Sequence, residues 1–364
     1  MSEKNNFYSL DNILKKNALY NVIIGERSNG KTFAVGEKAL KDFAEQGQQL
    51  GLIRRWDVDF IGKRGQTTFD ALVNEGKVKK YFGDKWNNIS YYSSRWYLSK
   101  VDRELNKRVL DDIPFCYGFA LNTAEHDKST SYPNIKNILF DEFLSRNGYL
   151  PEEFVIFQNV LSTIIRHRDD VKIFMCGNTV NKYAPYFKEM GLTNIEKMKQ
   201  GTIDVYTYGN SELTVAVEFS DTPQKKKKSD KYFAFDNPQL QMITRGAWEI
   251  ALYPHLPEKY TDKDVLFTYF IEFEDNMLQC EIIRKGHNFF TYIHRKTSKL
   301  KFPDKDIFFT QNYAINRNFI RKITKPKLEI HRKILSFFEK DKVFYQDNDV
   351  GEIVRNYIQW CKNN

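Results

Sequence analysis

Eight residues limit what this chain can fold into more than any others: Gly25, Glu26, Arg27, Ser28, Asn29, Gly30, Lys31 and Thr32. They satisfy G-x-x-x-x-G-K-[ST] in full, and they sit where that pattern has a mechanism. Ahead of them Tyr20 to Ile24 (YNVII) reads as a buried strand, and behind them a helix is expected through about Glu45. The glycines let the loop curl, so that its N–H groups and the helix N-terminus converge on a phosphate. Lys31 is then expected to bridge the β- and γ-phosphates of a nucleotide, and the Thr32 hydroxyl to ligate Mg²⁺. The bland alternative is a glycine turn that happens to end in Lys-Thr.

A phosphate loop needs a second carboxylate site, and Asp141-Glu142 supplies it at the end of NILFDEF, Asn137 to Phe143. Asp141 is expected in the Mg²⁺ shell, and Glu142 beside it can take a proton from an attacking water. Signalling GTPases usually do without that second acid, so ATP hydrolysis in a motor is favoured. VKIFMCGN (Val171 to Asn178) is a further strand, closing on Asn178, whose amide can sense the γ-phosphate or act as a cap. Between these strands PEEFVIFQNVLSTIIRHR opens with proline and acids, as a helix start does, and ends on Arg166-His167-Arg168. Those cations can satisfy the last helix carbonyls. In a ring they can instead point at a neighbour's γ-phosphate. With GLIRR (Gly51 to Arg55), apolar strands alternate with helices, which predicts an α/β fold whose parallel sheet is covered on both faces.

After about residue 200 the texture changes. TIDVYTYG and ELTVAVEF alternate around Asn210-Ser211, as hairpin strands do. In TPQKKKKSDK, Lys225 to Lys228 carry too much like charge to pack, so a loop or linker is expected. From about Ala247, the strands WEIALY, VLFTYFIEF, MLQCEIIR and NFFTYIH precede two helices, one after Pro326 and one from about Asp349, an α+β pattern. The expected division is 1–205, a connecting hairpin segment 206–246, and 247–364. Charge separates the halves too. The 364-residue chain is +9 overall, yet 14 basic residues against three acids lie between Arg284 and Lys333, leaving the remainder slightly acidic. Aromatics interleave with those cations, a composition that suits a polyanion, nucleic acid first, with Arg295, Lys296 and Lys299 as contacts. A solvated surface over an aromatic core is the alternative. Four dispersed cysteines without a C-x-x-C pair argue against a disulfide framework and fit a reducing compartment. No run approaches the ~20 apolar residues of a membrane span.

Taken in order, G-E-R-S-N-G-K-T, S-Y-P-N-I-K-N-I-L-F-D-E-F, R-H-R-D and C-G-N resemble the DNA-packaging ATPases of phi-29-type tailed phages, small relatives of terminase large subunits. The resemblance spans residues 18–185 and includes Arg54-Arg55. It implies a P-loop NTPase of the additional-strand, glutamate-bearing class. Such proteins work as a homo-oligomeric ring, a pentamer here, at the portal (connector) of an empty phage head in the host cell cytoplasm. The ring drives double-stranded DNA inward using ATP, and a packaging RNA can join it. The C-terminal domain implied is RNase H-like, a vestigial nuclease that has lost its catalytic carboxylates. The family pattern puts the trans-acting arginine on Arg166, with Arg168 second, and a channel- or neighbour-facing base on Lys128. Where relatives carry a lysine shortly after the arginine pair, this chain reads Trp56-Asp57, which leaves Lys63 or Arg64 to substitute. An active nuclease needs several carboxylates converging on two cations. The candidates on a first strand are Glu272, Glu274 and Asp275, Gly286 to Thr324 adds only Asp304 and Asp306, and the final stretch offers Asp347, Asp349 and Glu352. No converging set with the right spacing is visible, so a non-catalytic domain is expected. The rivals are a terminase with an active nuclease and a non-motor, nucleotide-gated nucleic-acid-binding protein.

Overall fold

In β1 (Tyr20–Gly25) successive side chains point to opposite faces, and both faces are buried: Val22 and Ile24 enter one core, Ile23 another. A strand buried on both sides belongs inside a parallel sheet layered between helices. The computed structural model describes residues 8–102, 104–127, 130–146, 148–221, 252–256, 258–313, 315 and 318–363. They divide between two units, Met1–Glu249 and Ile250–Asn364.

The first unit is built on β1, β2 (Gln49–Arg54), β3 (Asn88–Tyr92), β4 (Arg95–Asp102), β5 (Lys107–Ala120), β6 (Ile135–Asp141), β7 (Lys172–Asn178), β8 (Thr202–Thr207) and β9 (Thr214–Phe219). Their order is β3-β4-β5-β2-β6-β7-β1-β9-β8. From β5 to β9 all neighbours are parallel, while β3 and β4 at one edge and β8 at the other run antiparallel. In β6, Ile138 and Phe140 fill one core and Leu139 the other. The helix Glu153–Ile165 covers the first core with Phe157, Val160, Leu161 and Ile164; the helix Lys31–Gln46 covers the second with Val35, Ala39 and Leu40.

Two features depart from the sequence reading. The hairpin β8–β9, expected in the connecting segment 206–246, belongs to this sheet, because Val215, Val217 and Phe219 fill the core beside β1. The meander β3–β5 was not expected at all; its Lys107–Ile113 stretch is mostly exposed and shows no strong period. Lys225 to Lys228, and WEIALY apart from Leu252 and Tyr253, lie outside the described residues.

The second unit contains β10 (Val265–Phe273), β11 (Asn276–Lys285), β12 (Asn288–Arg295), β13 (Ile307–Thr310), β14 (Asn318–Ile320) and β15 (Val343–Tyr345), ordered β14-β13-β10-β11-β12-β15. The strands β10, β11 and β12 are antiparallel; β13 runs parallel to β10, β14 to β13, and β15 to β12. The helix Asn348–Asn363 closes the sheet, burying Val350, Ile353, Val354 and Tyr357. No helix among the described residues is long and apolar enough to cross a membrane. All four cysteines are buried and free of disulfides.

Candidate nucleotide site

The carboxyl ends of β1, β2, β6 and β7 surround one cleft of about 730 Å³, where ligands of open parallel sheets bind. Gly30 has φ 96°, a left-handed conformation that glycine adopts without strain, and leads into the helix Lys31–Gln46. At Gly25 a Cβ would fall 2.1 Å from Ser220 Oγ, just past β9, so packing also sets the loop's first glycine. Asn29 braces the loop: its Nδ2 donates to Ser220 Oγ at 2.8 Å, and its Oδ1 accepts from the Lys31 main-chain N–H at 3.3 Å. Arg27 and Ser28 line the cleft, whereas the Glu26 side chain is buried and the residue contributes its carbonyl.

Lys31 Nζ is buried and donates to Gly25 O (3.3 Å), Glu26 O (2.6 Å), Asn29 Oδ1 (3.1 Å) and Asn178 Oδ1 (3.3 Å). Those four oxygens are uncharged, and burial lowers the ammonium pKa to about 8. Anionic phosphates restore the proton. ATP binding is therefore expected to take up a proton at pH 8, and affinity should weaken as pH rises through that value and stay level below it. Calorimetric titration in buffers of different ionisation enthalpy checks this; binding at pH 8 without proton uptake would show Lys31 already fully charged in the free protein.

Thr32 Oγ1 donates to Asp141 Oδ1 at 2.8 Å. A hydroxyl and a carboxylate oxygen this close form a donor set that suits a hard divalent cation such as Mg²⁺. Glu142 follows in a left-handed turn, and its side chain is 65% exposed at the cleft mouth against 7% for Asp141. Sequence reasoning did not count Arg54 among the site residues, yet it pairs with Asp141 Oδ2 (2.7 Å) and Glu142 Oε2 (2.9 Å), bridging both acids. The available signal was its place at the carboxyl end of a parallel strand. Asn178 lies opposite Gly25 in the β1–β7 register, which explains its contact with Lys31.

The remaining candidates stand apart. Arg166 is exposed, ends the helix Glu153–Ile165 at φ 54°, and donates from Nη2 to Thr130 O at 3.0 Å; it does not line its own chain's cleft. Arg168 donates to the carbonyls of Tyr132, Pro133, Ile135, Ile164 and Ile165, at 2.7–3.1 Å. Two of those carbonyls, Ile164 and Ile165, close the helix as a cap does, and the other three lie at or just before the start of β6. Lys63 and Arg64 are exposed on the short helix Lys63–Thr67, with Arg64 3.6 Å from Asp59. Lys128 lies outside the described residues. In the second unit Arg295 pairs with Asp349 and donates to Asn276 Oδ1 at 2.9 Å, Lys296 contacts Ser298, and Lys299 is exposed.

Residues 2–360 match the family described as Podovirus DNA encapsidation protein (Gp16). The chain belongs to that family. The DNA packaging protein of Bacillus phage phi29 is 24% identical over 233 residues, covering 62% of this chain and 61% of the relative. The matched part thus spans about three fifths of the curated relative's length. Among solved structures, the bacteriophage Phi-29 viral genome packaging motor assembly aligns with TM-score 0.58 at 19% identity, over 99% of this chain and 100% of that one. The Phi-28 gp11 DNA packaging motor aligns with TM-score 0.53 at 20% identity, over 98% of both chains. This encapsidation-family chain shares their fold.

Proposed function

We propose that this chain is an ATP-hydrolysing motor that moves double-stranded viral DNA through the portal into a preformed phage capsid. One observation carries the reading: Thr32 Oγ1 and Asp141 Oδ1 meet at 2.8 Å, beside the buried Lys31 and with Glu142 next in sequence, in a chain of the encapsidation family. Lys31 and the loop N–H groups hold the β- and γ-phosphates. Thr32 and Asp141 are the residues to hold Mg²⁺, which when bound neutralises charge on the phosphate oxygens. Glu142 accepts the proton of an attacking water. The loop dipoles and the helix N-terminus already point at the developing charge, so they need no rearrangement during the reaction. Arg166 is assigned to the nucleotide of a neighbouring chain in a homo-oligomeric ring, a pentamer at the portal vertex in the host cytoplasm.

We read the second unit as RNase H-like and without nuclease activity. Its order supports this: three antiparallel strands, then β13 and β14 parallel on the β10 side. A nuclease of that kind needs carboxylates from adjacent strands to converge on cations. Here Glu272 on β10 faces Thr310 on β13, and Thr310 Oγ1 donates to Glu272 Oε2 at 2.9 Å. A hydroxyl thus stands where a second carboxylate would be needed. Among the described residues no group of three His, Cys, Asp or Glu side chains could hold a metal ion. The Thr310 hydroxyl at that place weighs against the rival reading of an active nuclease. The unit's role is then to bind duplex DNA or a packaging RNA, with Lys296 and Lys299 better placed than Arg295, which Asp349 occupies.

Phosphate release by the full chain, with and without duplex DNA over a salt series, tests the reading. DNA is expected to stimulate hydrolysis, with an apparent affinity that falls on a log–log slope near −0.9 per phosphate contacted. Changing Lys296 and Lys299 to glutamate should weaken stimulation equally for all sequences, because phosphate contacts carry no base information. Slow hydrolysis indifferent to DNA would favour the nucleotide-gated binding protein instead.

A further inference from the structure

Glu142 adopts φ 57°, a conformation that a glutamate keeps only where its surroundings hold it. A buried ion pair lies beneath that turn. Arg55 Nη2 donates to Phe143 O at 2.7 Å, and Nη1 reaches Glu142 O at 3.4 Å. The same guanidinium pairs at two points with Glu153, Nε to Oε2 at 2.7 Å and Nη2 to Oε1 at 2.9 Å. The Glu153 side chain is fully buried, and its oxygens also accept from Tyr186 Oη (2.6 Å) and Leu150 N (2.7 Å). The Tyr149 ring stacks 5.0 Å from the guanidinium. Burial works against the charge on Arg55, but Glu153 outweighs it and holds the arginine pKa above its ordinary value. Glu153 is also the first residue of the helix that ends at Arg166.

We propose that Arg55 and Glu153 are positioning residues, whose pairing sets the main chain of the Glu142 turn and hence the reach of that carboxylate. The proposal rests on Glu142 acting as the base. A planar fork held on two edges fixes direction as well as charge, which a lysine cannot do. Displacing a reacting group by about 1 Å through a change elsewhere costs up to ~10²-fold in rate.

The test uses the full chain carrying Arg55→Met and Glu153→Met together, which leaves neither ion buried alone. The folded double variant should bind ATP within about threefold of wild type while kcat falls ~10- to 10²-fold. In a Glu142→Gln background the same two changes should add no further loss, because their effect runs through Glu142. An equal loss in that background would mark a general structural role and overturn the proposal, as would a kcat within about threefold of wild type. If the double variant does not fold, Tyr186→Phe decides: it removes one donor from Glu153 and keeps the ring. A several-fold fall in kcat at unchanged ATP affinity supports the proposal, and an unchanged kcat overturns it. Normal hydrolysis by Glu142→Gln alone would remove the base assignment itself, an outcome distinguishable from the others.

Discussion

Replacing Glu142 by glutamine is expected to leave ATP bound and hydrolysis nearly abolished, a fall of ~10²–10⁴-fold. Glutamine keeps the size and hydrogen bonding of the side chain at the cleft mouth but cannot take a proton from water. Arg54 loses one of its two acidic partners, at 2.9 Å, and keeps the other, Asp141, at 2.7 Å. The arginine therefore stays anchored. The proposed phosphate contacts, Lys31 and the loop, are not touched by the substitution. A fluorescent nucleotide analogue measures affinity while phosphate release measures turnover. Turnover within a few-fold of wild type would show that another group is the base.

Arg166→Ala is expected to abolish hydrolysis by assembled rings while the isolated chain keeps its nucleotide affinity. An arginine supplied in trans contributes ~10³–10⁵ in rate. Its placement suits that role, since the side chain is exposed, lies outside its own cleft and is oriented by Thr130 O. Rings doped with the variant should lose activity more steeply than the variant's share if each arginine serves the next chain. A strictly proportional loss would assign Arg166 to its own chain or to helix capping, the position Arg168 already holds.

The parts of the site legible in sequence are those whose signal is local. Gly25 to Thr32 is one unbroken run between an apolar strand and a helix, and Asp141-Glu142 closes another apolar strand. Backbone geometry then follows from neighbours a few positions away, so Lys31, Thr32, Asp141 and Glu142 could all be placed at one cleft. The parallel core was legible for the same reason: β1, β6 and β7 each carry an unbroken apolar run, residues 22–24, 138–140 and 173–176. The basic stretch could be read as a charge excess, although which of its cations are engaged could not.

Sequence alone thus determines which residues stand at the candidate nucleotide site and the class of sheet that presents it. Tertiary structure alone decides what braces that site. Arg54 meets Asp141 across 87 residues, Arg55 meets Glu153 across 98, and Asn29 meets Ser220 across 191. It also decides that β9 joins the sheet beside β1 and that Arg295 is tied to Asp349. None of these pairings has a periodicity or a spacing of its own. The side-chain pairs exist because neighbouring parallel strands bring distant carboxyl ends to one edge, where desolvation makes a polar or charged group find a partner.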